Sequence, residues 1–248
     1  MLRILDARTG EPVPAAPARR ALTRIEAYAS GLDPTALRVL LTADLLSRAL
    51  ELSGTPVWTI LTAPRRHAEL RSAATTLSVR SFETDRDLPS ALGEAQAIHV
   101  TADPTAAFGA GPVLRVAPVE WTGVPMPPEL PPLLLADPEA LRLALLAVPR
   151  SEPVRLDPGV LGEAAGCLGR WREAVAGWAR RPSRPVPEAV RERLRAAWEG
   201  DLDMPGVLGV LRDVESDPHA ADGARFETFV YADRLLALGL ARDLGSLA

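Results

Sequence analysis

The stretch YASGLDPTALRVLLTADLLSRALELSG, residues 28 to 54, decides the fold. A short segment ends in Gly31, a helix follows, and Gly54 closes it. Asp33 carries the short acceptor side chain that caps helices, and Pro34 suits the first helical position. A glycine just past the last turn stops the helix. A helix N-terminus placed this way gathers unpaired backbone N–H groups at the positive end of the helix dipole, which makes it a natural anion site. Whether an anion fits this one depends on what flanks it.

On the N-terminal side, LRILDA (2–7) and RIEAYA (24–29) read as strands. Beyond the helix come a buried strand, PVWTILTA (56–63), and helical spacing in PRRHAELRSAATTL (64–77). Two more strands follow, AIHVTA (97–102) and VLRVAPV (113–119). Strands alternating with helices predict a parallel α/β sheet. The proline-rich PVEWTGVPMPPELPP (118–132) reads as a loop or linker. From residue 137 onward only helices are expected. DPEALRLALLAV (137–148) opens on a second Asp-Pro cap, and a longer helix spans 157–181. A hinge, RPSRPVPE (181–188), precedes three helices near 187–199, 205–214 and 223–241. The chain therefore divides into an α/β half, residues 1–132, and a helical half, residues 133–248.

Composition narrows the class. The 248 residues are 47% hydrophobic, enough for a sizeable core, and the formal net charge is −4. No basic block exists to neutralise the phosphates of DNA or RNA. A lone cysteine, Cys167, excludes an internal disulfide and any CxxC motif. The opening MLRILDARTG has no signal-peptide pattern, and no apolar run is long enough to span a bilayer. A cytoplasmic protein with neither membrane nor DNA as partner is expected. All 28 basic residues are arginine, and the chain contains no lysine and no asparagine, as GC-rich coding would favour. No chemistry that needs a lysine can operate.

Several stretches resemble one family. VLLTADLLSRALELSG (39–54) is similar to the helix after the first signature of the cysteinyl-tRNA synthetases and of their relatives, the mycothiol-pathway ligases that join cysteine to glucosaminyl-inositol. The matching residues are Thr42, Asp44, Leu45, Arg48 and Gly54. LRILDARTGE (2–11) resembles the family's N-terminal strand and turn. The strongest resemblance is DPEALRLALLAVPRSEPVRLDPGVLGEAAGCLGRWREAVAGWA (137–179), where RLALLA and RWREAVA lean to the mycothiol ligase branch. AAWEGDLDMPGVLGVL (196–211) resembles that branch's DDLDTP helix start. The resemblance implies a Rossmann-like class I synthetase domain followed by an α-helical bundle. It also implies ATP-dependent adenylation of cysteine, with zinc selecting the thiolate.

The residues that would carry that chemistry differ. DPTA (33–36) stands where the family has HIGH, so both phosphate-facing histidines are missing and a carboxylate sits at the helix N-terminus. VPMPPEL (124–130) stands where KMSKS would be, with Met126 and Leu130 as relics and no lysine. YASG puts Ser30 where the first zinc-ligand cysteine of YVCG stands, and a neutral hydroxyl is a poor zinc ligand. His67, His99 and His219 lack ligand spacing, so His99 reads as a core or ladder-edge histidine and Cys167 as a packing thiol. GAGP (109–112) reads as a turn, ETDRD (83–87) as a charged surface loop, and Trp171 with Trp178 as one packing face.

These residues predict a degenerate relative of the cysteine ligases. It is expected to be a non-catalytic binding or regulatory paralogue, with no zinc, no bound cofactor and an unidentified protein partner. What nucleotide pocket remains consists of Ser30, Gly31, Thr35 and Arg38. The alternative is an ATP-dependent cysteine ligase or other nucleotide-binding enzyme, with Arg38, Arg65 and Arg66 converging on a phosphate. A third reading, tRNA binding through RWREAVAGWARRPSRP (170–185), is not favoured, because a solvated helix face and hinge account for those arginines.

Overall fold

Thr23–Tyr28 alternate buried and half-buried side chains, the pattern of a strand with one face against a core. The computed structural model describes residues 1–17, 22–83, 96–122, 134 and 136–245. Within them the elements run β1 (Arg3–Leu5), β2 (Pro12–Pro14), β3 (Thr23–Tyr28), α1 (Pro34–Leu52), β4 (Val57–Thr62), α2 (His67–Thr76), β5 (Gln96–Thr101), β6 (Val113–Arg115) and β7 (Val119–Trp121). There follow α3 (Pro138–Leu146), β8 (Val154–Leu156), α4 (Pro158–Trp178), α5 (Glu188–Glu199), α6 (Met204–Ser216) and α7 (Asp222–Leu236).

Strands β4-β3-β5-β6 form a parallel sheet in that order. A parallel bridge between Ile60 and Glu83 extends it beyond β4. The chain leaves β3 first to one side and later to the other, so the strand order reverses between β3 and β5. That crevice, outside the carboxyl ends of the strands, is where open α/β sheets bind ligands. The architecture is the expected Rossmann-like α/β fold with flanking helices.

Helix α1 covers the face that carries Ile25 and Ala27 of β3 and Ile98 and Val100 of β5, all in one core. Its start and stop follow the sequence: Asp33 Oδ1 accepts from Ala36 N at 2.8 Å, and Gly54 takes φ +78°. The same Asp-Pro device recurs. Asp137 caps α3 through Ala140 N at 3.1 Å, and Asp157 caps α4 through Val160 N at 2.9 Å. Asp203 caps α6 through Gly206 N at 2.9 Å.

Two expectations need correction. The region after residue 137 is not purely helical, because β8 (Val154–Leu156) pairs in parallel with β7 (Val119–Trp121). That pairing also puts a strand inside the proline-rich window read as a loop. Pro118, Pro153 and Pro158 flank these three-residue strands and mask the short alternation that would mark them. The β1–β2 hairpin was likewise expected only in its first strand. The expected division between residues 132 and 133 lies outside the described residues, as does VPMPPEL (124–130). Of ETDRD (83–87) only Glu83 is described.

Fifteen of the nineteen residues of α1 are buried, including charged Arg38 and Asp44. Asp44 Oδ2 accepts from Arg142 Nη2 of α3 at 2.8 Å and from Arg48 Nε at 2.8 Å, and its Oδ1 takes Arg80 N at 3.2 Å. Arg142 also donates to Leu77 O, at the end of α2, at 2.8 Å and to Leu236 O, at the end of α7, at 2.5 Å. The Asp44 and Arg142 side chains are both wholly buried. In the helical half, Trp171 and Trp178 of α4 pack edge-on against Phe229 of α7, with centroids at 5.6 and 5.1 Å. Among the described residues no helix is long and apolar enough to cross a membrane.

Breaking a buried pair by deleting one partner leaves an uncompensated charge and costs about 3–5 kcal/mol. Asp44→Ala, which strands the Arg142 guanidinium, should therefore lower the unfolding free energy by about 3–5 kcal/mol in urea titrations. Arg48→Ala, which leaves Asp44 paired with Arg142, should cost clearly less than Asp44→Ala in the same titrations.

Candidate functional site

The crevice at the N-terminus of α1 forms where β3, β4 and β5 end. Tyr28, Thr62 and Thr101, their last residues, all line it, and its volume is about 240 Å³. Ser30, Asp33 and Thr35 complete the rim below α1. Ser30 and Asp33 are exposed, while Thr35 is half-buried and its hydroxyl accepts from Val119 N at 3.0 Å. On the opposite wall Asp103 accepts both the N–H and the hydroxyl of Thr105, which hold its carboxyl below the usual range.

The crevice thus presents two carboxylates and no arginine or histidine among its lining residues. Asp33 already uses a helix N–H that an anion would need, and its charge complements the dipole that would attract one.

Of the four residues expected to form a residual nucleotide pocket, Ser30 and Thr35 line this crevice, and Gly31 lies beside them without lining it. Arg38 is not brought to the group. Its guanidinium is buried and points into the junction with the helical half. There Nη1 donates to Ala117 O at 3.0 Å and Glu152 O at 2.6 Å, and Nη2 to Val148 O at 3.1 Å and Pro149 O at 2.7 Å. Burial, with the neighbouring Arg150 charge, pushes its pKa down to about 10, still far above neutrality. Arg65 and Arg66 precede α2 and line no part of the crevice, so the three arginines do not converge.

Zinc fares no better on geometry. Among the described residues no three His, Cys, Asp or Glu side chains gather in a way that could hold a metal. Cys167 is half-buried on α4, where burial pushes its thiol pKa up, away from the thiolate that metals bind.

A second constellation lies on the sheet face turned away from α1, and sequence reasoning passed over it. Strand alternation points Arg24, Glu26 and Tyr28 of β3 to that face, and register places His99 of β5 directly beside Glu26. His99 Nδ1 lies 3.1 Å from Glu26 Oε2, and Nε2 lies 3.0 Å from Ala110 O. Both ring nitrogens therefore face oxygen acceptors. Tyr28 Oη donates to the same Glu26 oxygen, and Arg24 Nε lies 2.6 Å from the other. The Phe108 ring stacks on His99 at 5.0 Å and 15°. Gly111 lets the loop 107–112 lie on β5, since at its φ of +111° a Cβ would fall 2.1 Å from Ala97 O. The bond from His99, aided by Tyr28 and Arg24 against the cost of burial, holds the Glu26 pKa down to about 2. A visible signal existed: polar residues at every second position of RIEAY mark a strand with a polar face, uncommon in a central parallel strand.

Fold and crevice together define a Rossmann-like α/β protein whose crevice at the N-terminus of α1 carries two carboxylates. Comparison with known proteins sharpens the class. The chain is 40% identical over 109 residues to the L-cysteine:1D-myo-inositol 2-amino-2-deoxy-alpha-D-glucopyranoside ligase of Thermobispora bispora, covering 44% of this chain and 23% of that protein. It is 43% identical over 75 residues to the ligase of the same name from Streptomyces avermitilis, covering 30% and 17%. To the Streptosporangium roseum ligase it is 41% identical over 88 residues, covering 36% and 20%. The matches thus span less than a quarter of the length of these relatives. No family model matches the chain. The chain is a ligase-like relative of this mycothiol ligase and cysteinyl-tRNA synthetase-like group.

Between pH 2 and 4.5 the folded protein holds fewer protons at Glu26 than the unfolded chain does, so this group's stabilisation grows as pH rises through that window. Glu26→Gln should therefore unfold at a lower temperature than the unaltered protein above pH 4.5. The difference should shrink steadily as pH is lowered towards 2 in calorimetric scans.

Proposed function

We propose that this protein is a non-catalytic relative of the cysteine ligases, which keeps the synthetase-like scaffold as a binding or regulatory module. The observation that carries the reading is the anionic lining of the crevice at α1. Asp33 and Asp103 face the space that polyphosphate would need, and among the described residues no cation lines it. Two further observations support it. Arg38, the cation on α1 nearest in sequence, spends its terminal nitrogens on four backbone carbonyls. No lysine exists anywhere to hold a leaving pyrophosphate. Neither ATP nor zinc fits the described residues, so no step through either group is assigned, and the partner in this reading is another protein of the cytoplasm. Transition-state charge in adenylation needs preorganised donors, and carboxylates supply the opposite sign.

The test is direct. A ligand that binds only the native state must raise the melting temperature. ATP, cysteine and a cysteinyl-adenylate sulfamoyl analogue should leave the melting temperature unchanged, and ATP–pyrophosphate exchange should stay at background. A saturable upward shift with the analogue would sink the non-binding form of the proposal, and exchange above background would sink the non-catalytic form.

A further inference from the structure

The sheet face opposite α1 bounds a groove of about 760 Å³, several times the crevice at α1. Such a volume is in the range of small-molecule sites, which combine apolar walls with a few convergent polar groups. Here the walls are the β1–β2 hairpin, through Val13, Pro14 and Ala15, and the loop 107–112 with Phe108. The polar floor is Arg24, Glu26 and His99.

The hydrogen-bonding capacity of that floor is unequally spent. Both oxygens of Glu26 are engaged, one by Arg24 and the other by His99 and Tyr28. Both nitrogens of His99 face acceptors. Arg24 is different. Its Nε sits against Glu26 at 2.6 Å, buried and outside good hydrogen-bond alignment, so the contact is ionic. Its two terminal nitrogens make no hydrogen bond to any described residue, and the side chain is about a third exposed where it lines the groove. The remaining carboxylate on the lining, Asp6, has Oδ1 committed to the N–H groups of Arg8 and Val113.

A guanidinium held along one edge by a carboxylate and open along the other is preorganised to take a planar two-oxygen anion. The apolar walls then select the rest of the ligand. We propose that this groove is a binding site for a small organic carboxylate, whose two oxygens meet the open edge of Arg24 and whose apolar body lies between the hairpin and Phe108. The site is on the other side of the sheet from the α1 crevice, so it stands whether or not ATP binds there.

Benzoate is a suitable probe, with benzamide as its neutral counterpart and inorganic phosphate as an anion without an apolar body. Titrations of the full chain by calorimetry or amide NMR should give saturable benzoate binding near about 1 mM, a value ordinary for so small a ligand. Benzamide and phosphate should each bind at least tenfold more weakly. Arg24→Gln should weaken benzoate at least tenfold while its melting temperature shows that it still folds. Arg24→Lys, which keeps the charge and loses the fork, should fall between. If Arg24→Gln does not fold, Val13→Asp, which sets a carboxylate on the opposite wall, should weaken benzoate by a similar factor. Equal binding of benzamide, equal binding of phosphate, no saturable benzoate response, or benzoate binding unchanged in the folded variants would each overturn the proposal.

Discussion

Everything else in this molecule depends on the Arg142 guanidinium, buried completely between four helices. It meets Asp44 of α1, the carbonyl of Leu77 after α2 and the carbonyl of Leu236 at the end of α7, while its own backbone belongs to α3. Each helix ends with carbonyls that have no partner inside it, and a buried helix end cannot leave them to water. A guanidinium has five donors in a fixed fork, so one side chain can satisfy several such carbonyls and place its positive charge where helix dipoles are negative. Burial pushes the Arg142 pKa down, and the Asp44 carboxylate beside it opposes that shift.

The device is repeated. Arg38 gathers the carbonyls of Val148, Pro149 and Glu152 beyond α3, together with Ala117 before β7, and so fixes the parallel β7–β8 pair. Arg172 holds Leu238 O at 2.6 Å and Gly239 O at 3.1 Å, while Asp233 takes Leu238 N and Leu240 N, closing the turn after α7. A chain without lysine suits this architecture, because an ammonium offers three donors around one point and cannot reach two peptide planes side by side. Arg38 of α1, which a nucleotide reading would recruit, is thereby held in a structural role. Helix α1 cannot lend Arg38 to a phosphate without releasing the carbonyls of Ala117, Val148, Pro149 and Glu152.

How much of this was legible in the sequence follows from how local each feature is. The Asp-Pro helix starts at Asp33, Asp137 and Asp157 depend on residues three apart, and the structure forms all of them. The parallel sheet was legible because β3, β4 and β5 are six residues long and separated by helical spacing. Strands β2, β7 and β8 were not, since each is three residues long and set among prolines that read as loop. At the candidate site, the capping role of Asp33 was readable, because it is local. The destination of Arg38 was not, because its acceptors lie beyond a linker and a helix. Likewise nothing in AIHVTA says that His99 will face Glu26; only the register of β3 against β5 does. Asp44 was noted as a family-like residue, yet its burial against Arg142 is purely tertiary.

The open face of the sheet completes the physical picture. A parallel sheet ordinarily has both faces covered and reads as continuous apolar strands. Here α1 covers one face, while β3 sends Arg24, Glu26 and Tyr28 to the other. A charged row in a central strand is tolerated only when the charges neutralise one another in fixed geometry, since unpaired buried charge is costly. Glu26 meets that condition by lying between Arg24 and His99, and its low pKa is the thermodynamic trace of that neutralisation. The condition sets the pairing and leaves the far edge of Arg24 unspecified. An arrangement needed only for stability would use that edge as fully as Arg142 uses its own. The difference between two arginines of one chain, one saturated by carbonyls and one half open above a groove, separates a residue that holds the fold from one positioned to meet a ligand.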